Sequence, residues 1–523
     1  MSARKKLAVA GCFMWLGCGA NPTVGVAQSA IRGEDHDHGH GHGHGVEHVL
    51  LLSIDGFHDF DLTNYVAAHP TSALASLVAR GTTYTQAYST APSDSFPATL
   101  AMTTGGSPVS TGVYYDASWD DRLSPAGSNC ATRGALVSYK ETINFNANTG
   151  SGVADINVAK LPRDPDAGCT PVFPHQYLKV NTIYEVIKAA GMRTAVADKH
   201  PSYEILNGPS GTGLDDFYGP EFNAAKKDIT KIIANDELKV VAVLHQLDGF
   251  DHTGATQVGV PAILGMNFQA VNIAQKFSGY KDAAGTIPDT VAFIGAAAGK
   301  APGLAQAMDY VDQAIGRMLA KMDAQGLTDS TLVIMASKHG NSPVDRSTFV
   351  PIDPDATFPA LINSVSPGLS AQVTADTLAL IWLTDHSRAA EVADVLRAHS
   401  ANIGGGQIYV GSEIDALFHG EMSGNPTRHP DILVQPGPGV VYATAGSKLC
   451  DHAGLREEDR HVAMVMAGPH VEQGEVNQTV SIRQVAPTIL KALGLKGHDL
   501  DAVRLEHTHR LPVADDDEGN DDD

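Results

Sequence analysis

Six short segments carry most of the side chains that could do chemistry. They are Ile54-Asp55-Gly56, Asp94-Ser95-Phe96-Pro97, Asp248-Gly249-Phe250-Asp251-His252, Ser337-Lys338-His339-Gly340, Asp451-His452-Ala453-Gly454 and Ala486-Pro487-Thr488. Carboxylates and imidazoles are the side chains that hold divalent cations. Asp248 and His252, spaced i and i+4, with His452 in a later glycine-rich loop, form a three-ligand set that leaves one position open. Asp55 ends an apolar run, where a carboxylate faces the crevice of an open sheet. Ser95 stands at the predicted start of a helix, where backbone N–H groups favour an anion. A hydroxyl there serves as a nucleophile if something lowers its pKa. Each segment also has an ordinary reading: Ser and Asp are the preferred helix caps, and the others are common polar loop residues.

The elements that must position these groups follow from periodicity. Val49 to Ile54 is a near-continuous apolar run, as in a central parallel strand covered on both faces. Strands are predicted over Met192–Ala197, Lys239–Leu247 (leading into Asp248), Thr331–Ala336 (leading into Ser337-Lys338-His339-Gly340) and Val462–Ala467. Helices are predicted over Ser72–Arg80, Thr182–Ala190 and Ser481–Leu493. Another follows from Leu304, Met308, Val311, Ile315, Met318 and Met322, which recur at spacings of three and four. Alternation of this kind predicts an α/β fold with a mostly parallel central sheet covered by helices. Two stretches interrupt it. One, from about 111 to 174, is rich in Gly, Pro, Ser and Asn. The other, from about 342 to 448, holds a strand–helix–strand (Leu378–Leu383, Ser387–His399, Gln407–Gly411) and reads as an inserted small α+β cap subdomain.

The chain has 523 residues, is 43% hydrophobic and 18% charged, and carries a net charge of −23. That balance argues against a nucleic-acid-binding surface, which needs basic patches. Seven of the acids crowd into Asp515–Asp523, and residues 501–523 read as a solvated acidic tail. Arg4, Lys5 and Lys6 before the short apolar stretch Leu7–Cys18 read as a signal peptide over residues 1–30, which predicts a periplasmic or secreted protein. Leu16-Gly17-Cys18 leaves lipid anchoring open. No later segment reads as a membrane helix. Residues 31–47 alternate His with Gly and read as a flexible linker, either inert or able to bind zinc or copper. The main domain is expected over 48–500. Export permits a disulfide, and Cys130 with Cys169, in one Gly/Pro-rich region, is the expected pair. Cys450, two residues before His452, reads as a buried thiol, with a zinc-bound thiolate as the alternative.

Taken in order, these segments resemble the alkaline phosphatase superfamily, most closely its type I phosphodiesterase/nucleotide pyrophosphatase branch. The resemblance rests on Leu51-Leu52-Ser53-Ile54-Asp55-Gly56-Phe57, on Ser95-Phe96-Pro97 with Thr103, Gly105 and Ser110-Thr111-Gly112, and on the segments around Asp248, Lys338 and Asp451. Gly468-Pro469 and Ala486-Pro487-Thr488-Ile489-Leu490 complete it. It implies hydrolysis of small phosphate esters, most of all phosphodiester or nucleotide pyrophosphate bonds, through a phosphoryl-serine at Ser95. One zinc would use Asp248, His252 and His452. A second would use Asp55, His339 and the Ser95 oxygen, and would stabilise entering and leaving oxygens together with the first.

Three departures stand out against that family. Ser95 replaces the usual Thr. Ala98 stands where an Asn donates to the phosphoryl oxygen. Lys338 stands where a second-site carboxylate is expected. Three outcomes stay open for Lys338: its ammonium replaces one ion and touches the phosphoryl oxygens, leaving one zinc; it points away while Asp345, Asp251 or Asp94 completes the site; or the site is inert and binds a metal or ligand only. A phosphomonoesterase of the same fold is the alternative activity. A sulfatase would need an Arg where Thr99 stands.

Overall fold

The computed structural model describes residues 45–278, 303–418 and 428–513. The expected signal peptide, most of the His-rich linker and the acidic stretch from 514 onward lie outside these residues.

Twelve strands are referred to below. They are β1 (His48–Ile54), β2 (Gly81–Tyr84), β3 (Thr194–Ala197), β4 (Asp216–Tyr218), β5 (Ile263–Phe268), β6 (Thr331–Ala336), β7 (Ser370–Ala375), β8 (Ala379–Leu383), β9 (Gln407–Val410), β10 (Ile432–Gln435), β11 (Met464–Ala467) and β12 (Gly474–Val476). The main sheet has eight strands in the order β12-β2-β11-β6-β1-β5-β3-β4. β1 pairs in parallel with β5 and β6, β5 with β3, and β3 with β4, while β11 runs antiparallel to both its neighbours. β1 sits at the centre, and Val49 to Ile54 is wholly buried, as its continuous apolar run requires. Apolar clusters cover both faces of the sheet.

Four helices matter to the site: α1 (Ser95–Thr104), α2 (Ile229–Leu247), α3 (Ala270–Phe277) and α4 (Leu304–Ala324). α4 forms where the sequence predicts it. The predicted strand Lys239–Leu247 does not form, because those residues are the end of α2. Ile229, Ile232, Asp236, Val240, Val243 and Leu247 are all buried at helical spacings, and the full 19-residue stretch carries a 3.6 period that a nine-residue window hides. The strand that occupies this place in the sheet is β5, fifteen residues further on, with the wholly buried sequence Ile-Leu-Gly-Met-Asn-Phe.

A second sheet, β7-β8-β10-β9, is antiparallel throughout and packs against the helices Pro354–Val365 and Ala389–Ala398. The expected strand–helix–strand of residues 378–411 forms within it. The Gly/Pro-rich stretch holds two short hairpins and a Cys130–Cys169 disulfide across 39 residues. Closing a loop of that length lowers the entropy of the unfolded chain by an amount worth about 4 kcal/mol. Replacing both cysteines with serine is therefore expected to lower the thermal midpoint; an unchanged midpoint in calorimetry would show that the crosslink adds nothing to this fold. Cys450 is buried and free.

Residues 501–513 correct the expectation of a solvated tail. Asp501–Glu506 is helical, Leu511 is buried, and the Glu506 carboxylate accepts from Ser107 and Ser110 and pairs with Arg483.

Candidate active site

The carboxyl ends of β1, β3, β5 and β6 converge, as parallel strands require, and each delivers a polar side chain just past its last residue. Asp55 follows β1, Lys199 follows β3, Gln269 follows β5, and Lys338 and His339 follow β6. Gly56 makes the turn after Asp55 with φ +82, and a Cβ there would lie 2.4 Å from Gln275 Oε1, so only glycine fits.

Ser95 is the first residue of α1. Asp94 caps that helix by accepting from the Phe96 N–H at 3.1 Å. The cap is thus Asp94, and Ser95 follows it as the first helical residue. Ser95 Oγ lies 3.2 Å from His339 Nε2 and accepts from Lys199 Nζ at 2.9 Å. His339 Nδ1 lies 2.9 Å from the Gly340 carbonyl, so Nδ1 carries the hydrogen and Nε2 is left to accept from the Ser95 hydroxyl. Burial, before any charge effect, pushes His339 down to about 3 and keeps the ring neutral.

Asp55 is fully buried among cations. Its Oδ2 accepts from Lys199 Nζ at 3.0 Å, from Asn267 Nδ2 at 3.4 Å and from Gln269 Nε2 in a short contact. Lys338 Nζ lies 3.7 Å from Asp55 Oδ1 and 3.4 Å from Asp198 Oδ2. Burial would raise the Asp55 carboxyl, but Lys199 and then Lys338 hold it well below the usual carboxylate range. Burial likewise opposes the charge on Lys199, yet Asp55 raises its pKa and keeps it an ammonium. Burial lowers Lys338, against the pull of Asp198 and Asp55. The Tyr203 ring lies beside both amines, 4.8 Å from Lys338 Nζ and 5.8 Å from Lys199 Nζ. Lys199 is held in place by its loop: its N–H donates to Asp198 Oδ1, and the next residue, His200, adopts φ +56 and bonds Glu221 at 2.8 Å.

His452 stacks on His339 with ring centroids 3.7 Å apart, and its Nδ1 is 3.7 Å from Asp94 Oδ2. Asp451 is neutralised by Lys276 at 2.5 Å and by Lys448.

The structure therefore joins Asp55, Ser95, Lys338, His339 and His452, and leaves out Asp248 and His252. Asp248 caps the end of α2 and is held by Lys321 Nζ of α4 at 2.8 Å and by Gln325, the residue just after α4. His252 bonds Asp216 at 2.6 Å and stacks on Tyr218, beside the edge strand β4. β4 lies three strand spacings from β1, about 14 Å at roughly 4.8 Å per spacing. The difference follows from the helix: only as a strand would 239–247 deliver its carboxyl end to the crevice, and it is the end of α2. An open cleft of about 650 Å³ does lie beside His252, lined by Lys188, Arg193, Asp216 and Asp251. It holds none of the groups gathered around Ser95. Ala substitution of His252 is accordingly expected to leave turnover within about threefold of wild type; a loss of a hundredfold or more in kcat would return this residue to the site.

Lys199 and Gln269 were not anticipated. Lys199 stands two residues beyond a strand that the sequence does predict, so its position carried the signal, but lysine is not a residue expected to converge on a buried carboxylate. Gln269 could not be placed without β5.

The model of the family described as type I phosphodiesterase / nucleotide pyrophosphatase matches residues 49–462. The chain belongs to that family. A bis(5'-adenosyl)-triphosphatase ENPP4 from Pongo abelii is 25% identical over 198 residues, 37% of this chain and 40% of that relative, so the match spans less than half of the relative's length. Among solved structures, murine ectonucleotide pyrophosphatase/phosphodiesterase 5 has a TM-score of 0.55 at 13% identity, covering 88% of this chain and 99% of that one. The alkaline phosphatase PafA has a TM-score of 0.55 at 12% identity, covering 86% and 96%. At those identities the likeness is one of fold.

The family is one of phosphoric ester hydrolases that typically depend on metal, so the fit of these residues to zinc needs testing. Among the buried atoms without hydrogen bonds in the described residues are Asp55 Oδ1, Asn267 Oδ1 and His452 Nδ1. Against them stand three observations. Among the described residues no group of three His, Cys, Asp or Glu side chains is placed to hold an ion. His339 Nε2 is engaged by Ser95. The space between Asp55 and Ser95 is filled by the Lys199 ammonium. An ion held by Asp55 and Ser95 would sit beside one fixed cation and close to a second. The residues present do not fit a two-zinc centre, and Lys338, aimed inward, is not the displaced side chain that a substitute carboxylate would require.

Three other buried carboxyls weight the pH response of the fold toward mild acid, against the buried neutral His339, which works the other way. Burial, ahead of neighbouring acids, pushes Asp94 up to about 8, Asp376 to about 6 and Asp459 to about 7. Unfolded, each titrates near roughly 3.9. Between those values the folded chain holds protons that the unfolded chain has released, so stability falls as pH rises from about 4 to about 8. Asp55 and Asp451 are shifted the other way, and their contribution is lost only in stronger acid. The guanidinium midpoint is expected to be higher at pH 5.5 than at pH 8.5; the reverse order would contradict these burial effects.

Proposed function

We propose that the chain hydrolyses phosphate esters, phosphodiester or nucleotide pyrophosphate bonds above all, with Ser95 as the nucleophile. The observation that carries this reading is the setting of Ser95 Oγ: first residue of α1, 2.9 Å from the Lys199 ammonium and 3.2 Å from His339 Nε2.

The two neighbours act unequally. An imidazole that burial holds near 3 is a weak base, so His339 orients the hydroxyl and takes its proton only transiently. A fixed ammonium at 2.9 Å stabilises a developing alkoxide by on the order of 5 kcal/mol at an effective dielectric of 20, less what Asp55 already neutralises. Lys199 is thus the larger factor. Ser95 Oγ attacks phosphorus in line, and the bond from phosphorus to the leaving oxygen breaks as the Oγ–phosphorus bond forms. The proton passes from His339 to the leaving oxygen. Water then attacks phosphorus and gives a proton to His339; the Oγ–phosphorus bond breaks as the new oxygen–phosphorus bond forms, and His339 returns that proton to Ser95 Oγ.

Several observations support the setting. Ectonucleotide pyrophosphatase/phosphodiesterase 5 has been captured with AMP, which makes a nucleotide a sensible probe here. The Cys130–Cys169 disulfide suits an oxidising compartment, in keeping with the exported leader read from the sequence. Among the described residues no helix is long and apolar enough to cross a membrane.

The test is turnover of bis-p-nitrophenyl phosphate, p-nitrophenyl phosphate and a dinucleoside polyphosphate by the purified mature protein. Diester or pyrophosphate turnover supports the reading. Preference for the monoester makes the protein a phosphomonoesterase. No turnover of any of them leaves a ligand-binding relative of the family.

A further inference from the structure

We infer that Lys199 and Lys338 are the resident cations of this site, and that it binds the phosphoryl group without any divalent metal. The inference deepens the proposed function and rests on that reading for its catalytic consequence, though not for its binding one.

The argument is one of placement. A phosphoryl group approaching Ser95 Oγ meets positive charge, because the Lys199 ammonium already fills the space between that oxygen and Asp55. Lys199 Nζ bridges Asp55 Oδ2 at 3.0 Å and Ser95 Oγ at 2.9 Å. Lys338 Nζ lies by the other Asp55 oxygen at 3.7 Å, and Asp198 at 3.4 Å ties it to the loop that carries Lys199. The two amines come from the ends of different strands, β3 and β6, and flank one fully buried carboxylate. Two lysines beside a single aspartate would be hard to keep if that aspartate also held a dication, since like charges at this separation oppose each other strongly. The carboxamides of Gln269 and Asn267 are consistent: both donate to Asp55 Oδ2, and donors, unlike carboxylates, compete with a metal for that oxygen. An ammonium binds phosphoryl oxygens as a point charge, as the lysines of phosphate-binding loops do.

The experiment uses the mature protein dialysed against a strong chelator, with residual metal measured by elemental analysis. Binding of inorganic phosphate and orthovanadate is read by calorimetry, and diester turnover is assayed in parallel. The expected result is a dissociation constant within about twofold of that of untreated protein, no tightening on adding zinc, and at least a tenfold weakening in Lys199→Met. Lys199→Arg, which keeps the charge, controls for folding, with thermal melts of each variant. Loss of binding on chelation with recovery on adding zinc would overturn the inference. So would stoichiometric zinc that survives dialysis, or anion binding absent in every condition. Binding without turnover sinks the hydrolase reading and leaves the cation assignment standing, so the two failures are distinguishable.

Discussion

Ser95→Ala is expected to lower diester turnover by at least about 1,000-fold while leaving the fold and anion binding nearly intact. Removing a nucleophile deletes the covalent route entirely, and what remains is the catalysis that binding and charge placement still give. The fold should tolerate the change. Ser95 is the first residue of α1 and does not cap it: the cap is Asp94. The hydroxyl bonds only Lys199 and His339, both of which keep other partners, Asp55 and Gly340. Steady-state rates for wild type and variant, with a thermal melt of each, check this. A variant that retains a tenth of wild-type kcat would remove Ser95 from the chemistry.

Lys199→Met is expected to cost about 100- to 1,000-fold in kcat/KM, the range for deleting one fixed charge or donor aimed at a developing oxyanion. The loss should exceed that of His339→Gln, because the ammonium, and not the imidazole, carries most of the stabilisation of the Ser95 oxygen. A structural effect must be separated from a catalytic one, since the substitution leaves Asp55 fully buried with one cation fewer and destabilises the chain. Lys199→Arg serves for that. An arginine that restores stability but only part of the rate marks a positional requirement, whereas full loss of rate with full stability in both variants marks a requirement for lysine itself. Equal, mild losses in Lys199→Met and His339→Gln would contradict the ranking of the two groups.

Much of the arrangement was legible in the sequence where a strong local signal ends at a functional residue. The apolar run before Asp55 and the strand before Lys338-His339 place those groups directly, because a buried parallel strand leaves little choice of register or direction. Ser95 was legible through helix-start chemistry, although the cap proved to be its neighbour Asp94. The pairing of Cys130 with Cys169 followed from their shared loop-rich region. Asp248 and His252 were misplaced for one reason, the reading of Lys239–Leu247 as a strand. A short apolar window does not separate a strand from the buried stripe of a helix. Lys199 and Gln269 stayed hidden for a different reason. Nothing local in Asp198-Lys199-His200 or in Asn267-Phe268-Gln269 signals convergence on Asp55; the signal is tertiary and arises only once β3 and β5 flank β1 on the same side. The departure that the sequence does show, a lysine at 338, gains its meaning from the second lysine beside it.

The most direct measurement is to quench metal-stripped protein during turnover of bis-p-nitrophenyl phosphate and to map the trapped adduct by peptide mass spectrometry. A p-nitrophenylphosphoryl group on the peptide carrying Ser95, absent from Ser95→Ala, is the expected result. Turnover that continues with no adduct, an adduct on another residue, or an adduct that forms only when zinc is restored would contradict it.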